Sequence, residues 1–311
     1  PPSRDFFSAP EPAMSAHALP SDLAARWETL RAVLADCGPV AVAFSGGVDS
    51  SVVAKAAHVV LGDRAVAVTA HSPSVATQER MDAARVAALI GIRHVVIETH
   101  EFDNPAYLRN GGDRCYHCKT ELYGTLTRLV PELGVRTIVS GANQDDLGDY
   151  RPGLTAAAEH GVRHPLVEAG LTKSDVRALA RWWELPVAEK PAAPCLSSRI
   201  APGVAATPER VQRIERAEAW LRQQGLEPCR VRLHEGELAR IEVPLALLPR
   251  LMEACFRTDL TAELERLGFR FVTVDLAGLR SGSLNSLIDL ETRRRFALEN
   301  GHAVAAAPLR S

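Results

Sequence analysis

The stretch PVAVAFSGGVDSSVVAKAAHVVL, residues 39–61, carries a short apolar run, a glycine turn and a helical pattern in immediate succession. PVAVAF (39–44) is continuously apolar and too short for a helix, which predicts a strand buried on both faces. From Val48 to Leu61 the spacing predicts a helix. The turn between them, SGGVDS (45–50), therefore faces the free N–H groups and positive dipole end of that helix, a setting that favours an anion. Gly46 and Gly47 let the backbone approach a phosphate, Ser45, Ser50 and Ser51 offer hydroxyls, and Asp49 is placed to orient a Mg-bound phosphate or an amide. Neither GxxxxGK[ST] nor GxGxxG occurs, which excludes the usual NTPase loop and a dinucleotide fingerprint.

The same rhythm continues downstream. AVAVTA (65–70), a helix over Thr77–Ile90, HVVIET (94–99), a cysteine-bearing helix near 115–130 and RTIVSG (136–141) predict an α/β fold with a parallel sheet covered on both faces. Ligands of such sheets sit at the carboxyl ends of the strands, so the loops after Phe44, Ala70, Thr99 and Ser140 are expected to form the site. Asp145 and Asp146 follow the last strand, where they either help hold Mg2+ and nucleotide or form a solvated turn.

Upstream, Leu23, Trp27, Leu30, Val33 and Leu34 fall at helical spacing from Ser21, closed by Gly38-Pro39. Five of the first twenty residues are Pro, so 1–20 are expected to be a disordered leader with Met14 as the natural start. After Pro186 the pattern breaks in EKPAAPCLSSRIAPG (189–203), which sets the expected boundary between domains at 21–190 and 191–311. The second domain is expected to be a small α+β unit: a helix over 208–224, a hairpin through CRVRLHE and LARIEVP, a helix over 245–267 and a strand over 271–278.

With 311 residues, 46% of them hydrophobic, the chain can bury a sizeable core, which rules out wholesale disorder. Thirty-six Lys and Arg against 38 Asp and Glu give a net charge of −2 and argue against a chain basic throughout. No apolar run approaches the ~18–20 residues that cross a bilayer, and a cytoplasmic location is expected. Six cysteines are too sparse for a disulfide scaffold.

Cys115 and Cys118 in RCYHCK (114–119) lie one helical turn apart, and Cys195 stands in the Pro-rich loop. Arg114, His117, Lys119 and Arg199 are basic neighbours that would favour thiolates. A CxxC pair serves redox chemistry, zinc and iron–sulfur clusters alike, and two such cysteines also simply pack in a helix. Three thiolates without an evident fourth suit a 4Fe-4S cluster with one open iron, or zinc completed by His117 or water. Cys37, Cys229 and Cys255 are expected to be structural.

SGGVDS resembles the pyrophosphate loop of the N-type ATP pyrophosphatases, which split ATP into AMP and pyrophosphate. With GANQDDLGDYRPG (141–153), APCLSSRI (193–200), RVRLHEGELARIEV (230–243) and DLAGLRSGSLN (275–285) in this order, the chain from about residue 22 resembles the LarE family of ATP-dependent sulfur transferases. The resemblance implies a parallel-sheet pyrophosphatase domain with a smaller C-terminal α+β domain. It implies adenylation of the carboxylates of pyridinium-3,5-biscarboxylic acid mononucleotide and their conversion to thiocarboxylates, for the nickel-pincer nucleotide cofactor of lactate racemase. It makes Cys195 the sulfur source, sacrificed in members that have it alone. Where Cys115 and Cys118 accompany it, sulfide on a cluster is implied as the transferred atom, so repeated turnover is expected here. Arg230 and Arg232 match phosphate-binding positions, with Arg199 beside Cys195 a further candidate, and Glu218 matches an acidic position nearby, although each taken alone also suits an exposed charge.

ATP, Mg2+ and a 4Fe-4S cluster are the cofactors expected. The expected partners are the mononucleotide, a sulfide donor and further copies of the chain, with neither membrane nor nucleic acid. Two other functions stay open: a tRNA thiolase sharing the same loop, and an ATP- or AMP-binding module without chemistry.

Overall fold

The computed structural model describes residues 18–147, 150–280, 282–294 and 296. The expected leader lies, up to residue 17, outside them. Helix α1 (Ser21–Cys37) leads into β1 (Val40–Ala43), and α2 (Val48–Leu61), β2 (Ala65–His71), α3 (Thr77–Ile90) and β3 (Arg93–Glu98) follow at the expected positions. The short α4 (Pro105–Leu108) precedes the cysteine-bearing α5 (Arg114–Leu133), and β4 (Thr137–Val139) completes a four-stranded sheet of order β3-β2-β1-β4, parallel throughout. The fold is α/β.

Alternation along the strands explains the two covered faces. Val40, Val42, Ala65, Ala67 and Val139 point into a core shared with α1, α2 and α3. Ala41, Val66, Val68, Ile97 and Ile138 point the other way, onto Leu122, Tyr123 and Leu126 of α5. Sequence patterning assigns nothing between 142 and 186, where α6 (Pro152–Glu159), α7 (Pro165–Glu168) and α8 (Lys173–Trp182) form. Helix α8 seals the first core against α1, with Trp27 edge-on to Trp183 at 5.0 Å between ring centroids.

No helix or strand forms over 190–195. Beyond it, α9 (Pro208–Gln223), β5 (Arg230–His234), β6 (Leu238–Glu242), α10 (Leu248–Met252), α11 (Ala254–Leu267) and β7 (Phe271–Val274) build a second sheet of order β5-β6-β7, antiparallel then parallel. Its Val231, Leu233, Ala239 and Ile241 enter a core with Ile214 and Leu221 of α9 and Leu260 and Leu264 of α11, joined by Tyr107 of α4. Two expectations are corrected. The helix over 245–267 is broken where Glu253 turns extended, at ψ 131. The last strand stops at Val274, because the Asp275 carboxylate accepts the N–H of Ala277 at 2.8 Å and turns the chain.

Candidate functional site

The parallel sheet brings the loops after β1, β2, β3 and β4 to one edge. At β1 the strand order switches from β2 on one side to β4 on the other, the point at which sheets of this kind take their ligands, and SGGVDS follows that strand. Inside the loop, Ser50 Oγ accepts the N–H of Ser45 at 3.2 Å and donates to Gly47 O at 3.2 Å, with Ser45 Oγ 3.0 Å away. Gly46 has φ +70, and a Cβ there would lie 2.7 Å from Cα of Ala83 in α3. The loop is thus tightly wound, with its amides gathered at the start of α2. Ser51 is fully buried and its hydroxyl has no partner among the described residues.

The loop after β4 packs on the start of α2. Gly141 rests so close to α2 that a Cβ would come within 2.7 Å of the Ser50 nitrogen. Asn143 donates to Asp49 Oδ1 at 3.1 Å, and Lys173, first residue of α8, pairs with Asp49 Oδ2. The Lys173 N–H donates to Asp145 Oδ2 at 2.8 Å. Asp146 accepts the Asn143 N–H at 3.0 Å and pairs with Arg151 at 2.7 Å; burial, opposed by Arg151, holds its carboxyl above the usual range. Sequence reasoning missed Lys173 and Asn143. The TKSD box that starts α8, where Thr172 and Asp175 cap each other, is the signal that marks Lys173 as a helix-start residue.

Cys195 comes to the same edge. Leu196 donates its N–H to Ser74 O in the loop after β2, at 2.8 Å, and Lys190 pairs with Glu79 and Asp82 of α3. Ser74 Oγ donates to buried Glu101 at 3.0 Å, and the second Glu101 oxygen has no partner among the described residues. Cys118 and Cys195 are half-buried, and Cys115 is exposed. Burial first, then the Glu101 charge and the other two thiols, push the Cys118 thiol well above its usual range. Against burial, Arg114 is held above its usual range by Cys115, Cys195, Tyr107 and Cys118, and Lys119 above its own by Tyr123 first and then by the three cysteines.

The three sulfurs therefore share one electrostatic neighbourhood flanked by two cations. Their chemistry suits a soft metal, but among the described residues no group of three His, Cys, Asp or Glu is gathered so as to hold one. His117, a proposed completing ligand, instead lies 3.1 Å from Asp113. Of the other cysteines, Cys37 and Cys229 are buried, with thiols pushed up by burial to about 11 and about 12, while Cys255 is exposed on α11 and does not pack as expected.

Arg230, Arg232 and His234 share one face of β5 by alternation. Arg232, 3% exposed, is engaged by buried Glu242 at 2.9 Å and donates to Ser198 O at 3.1 Å. Arg199 likewise meets buried Glu218 at 3.1 Å and donates to the carbonyl of Pro194. Arg230 donates to Arg280 O at 3.1 Å, and burial together with Arg232 and Arg199 lowers its pKa. Repulsion within this triad is what an incoming dianion would relieve.

A family model for asparagine synthase matches residues 28–110, the glycine loop included. The chain is 44% identical over 266 residues to an uncharacterized Synechocystis protein, covering 86% of this chain and 99% of the relative. It is 37% identical over 277 residues to pyridinium-3,5-bisthiocarboxylic acid mononucleotide synthase of Lactiplantibacillus plantarum, covering 88% of this chain and 99% of that synthase. The chain belongs to the LarE family. Similarity also extends to the tRNA-specific 2-thiouridylase MnmA of Xanthobacter autotrophicus, 34% identical over 191 residues, about half of each chain. Likeness to that thiouridylase thus covers only part of this LarE chain, whereas likeness to the synthase covers most of it. Among the described residues, no helix of this LarE chain is long and apolar enough to cross a membrane.

Proposed function

We propose that this protein is an ATP-dependent sulfur transferase that activates a carboxylate of pyridinium-3,5-biscarboxylic acid mononucleotide and converts it to a thiocarboxylate. The observation that carries it is the juxtaposition at one sheet edge of the SGGVDS loop and the Cys195 turn, in a chain related along its length to a synthase of that product.

A carboxylate is a poor acyl donor, because its leaving group would be oxide. Attack of a carboxylate oxygen on the α-phosphorus of ATP breaks the bond to the β-phosphate bridge, forms an acyl adenylate and releases pyrophosphate. The loop amides at the start of α2, with Lys173 beside Asp49, stabilise charge developing on that pyrophosphate, and Mg2+ supplies further charge when bound. A sulfur nucleophile, either the Cys195 thiolate or sulfide, then attacks the acyl carbon, and AMP leaves with the bonding electrons; where Cys195 attacks, the resulting thioester is freed as thiocarboxylate by removal of the Cys195 α-proton and cleavage of its Cβ–S bond, which leaves dehydroalanine. Arg230, Arg232 and Arg199 receive the substrate phosphate beside Ser198, three residues from Cys195. Domains at 21–190 and 191–311 divide these tasks between nucleotide and substrate, in a homo-oligomeric cytoplasmic enzyme.

Whether Cys195 is consumed or regenerated depends on Cys115 and Cys118. The adjoining Cys195 turn and CxxC helix support the regenerating form, in which the three thiols would hold a 4Fe-4S cluster and sulfide from an external donor would be the attacking atom in place of Cys195 sulfur. Incubation with ATP, Mg2+ and the biscarboxylate mononucleotide under reducing, anaerobic conditions should yield AMP and thiocarboxylate. No AMP would overturn the proposal. An unchanged mass after many turnovers, with bound iron, identifies regeneration; loss of one sulfur from Cys195 identifies sacrifice.

A further inference from the structure

Asn110, between α4 and α5, is 1% exposed and adopts the left-handed backbone, φ 52. Its amide nitrogen donates to Ala201 O and Val204 O, both at 2.9 Å, and to Ile200 O at 3.3 Å. Its side-chain oxygen accepts from Arg114, and its main-chain carbonyl accepts the N–H of Gly203 at 2.9 Å. Arg114 opens the cysteine-bearing helix and donates to Ser197 O at 2.8 Å, while the Tyr107 hydroxyl meets Ser197 Oγ at 2.8 Å. The segment after Cys195 lacks a strand or α-helix of its own until Pro208. These contacts are its main attachment to the helix that carries Cys115 and Cys118.

We propose that Asn110 and Arg114 are positioning residues, a clamp that sets the Cys195 turn in register with the Cys115–Cys118 helix. The proposal rests on Cys195 as the sulfur-bearing residue, but the clamp itself is a matter of distance between thiols. The Asn110 amide nitrogen is spent on the segment 200–204 and its oxygen accepts from Arg114, so one side chain ties the two segments together. Neither residue reaches the glycine loop, so the clamp acts on the sulfur step and leaves nucleotide binding alone.

Asn110→Gly keeps the left-handed backbone and deletes the amide, and Arg114→Lys keeps the charge and deletes the bridge. The full-length variants are treated with a short bis-maleimide, and linkage of Cys195 to Cys115 or Cys118 is read by peptide mass spectrometry. ATP affinity and thiocarboxylate formed per AMP released are measured beside it. Both variants should bind ATP within about twofold of the parent, while cross-linking and product per AMP fall by about tenfold or more, as expected when reacting groups shift by about an ångström. Unchanged cross-linking and coupling would overturn the clamp. So would a loss of ATP affinity and melting temperature in step with product, the mark of a purely structural role. If the parent forms no thiocarboxylate yet only the variants lose the cross-link, the sulfur-transfer reading fails and the clamp stands.

Discussion

Gly46 shows what a single residue contributes at the nucleotide loop. Its positive φ and the 2.7 Å approach to Ala83 both exclude a side chain. Gly46→Ala should therefore weaken ATP binding at least about tenfold and cost about 1–3 kcal/mol of stability, measurable by calorimetric titration and denaturant melts; unaltered ATP affinity would contradict the geometry. Cys195→Ser should abolish thiocarboxylate formation while AMP release persists, because the hydroxyl keeps the loop but not the nucleophile; full sulfur transfer by that variant would remove Cys195 from the mechanism. The glycines, serines and Asp49 are legible from sequence because the chemistry is local, a strand followed at once by a helix. Lys173 is not, since 124 positions separate it from Asp49 and only the packing of α8 brings them together.

Elements carry the next set of consequences. The β5–β6 pair holds a buried ion pair in which Arg232, Ser283 and Arg240 keep the Glu242 carboxyl below its usual range despite burial. Glu242→Ala would leave Arg232 buried without its counter-charge, at a cost of about 3–5 kcal/mol. The double replacement Arg232→Met with Glu242→Leu should cost less than the sum of the single changes, and strict additivity in a denaturant cycle would rule out the coupling. At the β4 edge, His164 shares a 2.8 Å hydrogen bond with Ser140, and burial lowers its pKa from 6.5 to about 4. The unfolded chain binds that proton more readily between the two values. Stability is thus whole above pH 6.5 and declines as the pH falls toward 4, by up to about 3 kcal/mol at 1.36 kcal/mol per unit. His164→Gln should flatten that decline in acid titrations of stability. Alternation and helical spacing made β1–β3, α2 and α3 legible, because each is bounded by clear turn signals. They did not reveal the break at Glu253, where apolar residues on both sides preserve a helical pattern through an extended backbone.

At the scale of the molecule, the net charge of −2 and the arginines already committed to Glu218 and Glu242 suit a small phosphorylated substrate better than a polyanion. Retention of tRNA on the purified protein should be slight at moderate salt, and strong binding that falls steeply with salt would favour a thiolase in its place. The α/β half, a sheet between two helical layers, was legible as a whole, since its strands read as continuous apolar runs. The pairing of Cys195 with the CxxC helix was expected from the cysteine count and the family resemblance, but the contacts that join them were not legible, because they span more than eighty positions of chain.

Tyr107 belongs by sequence to the parallel-sheet half, yet its ring joins the core that holds Leu196, Ile200 and the second sheet. Severing the chain in the Pro-rich loop would strip that ring of its socket and bare an oily surface on each fragment. The two halves are therefore married through an aromatic plug: neither should prosper when expressed alone, and mixing the fragments should restore solubility to both.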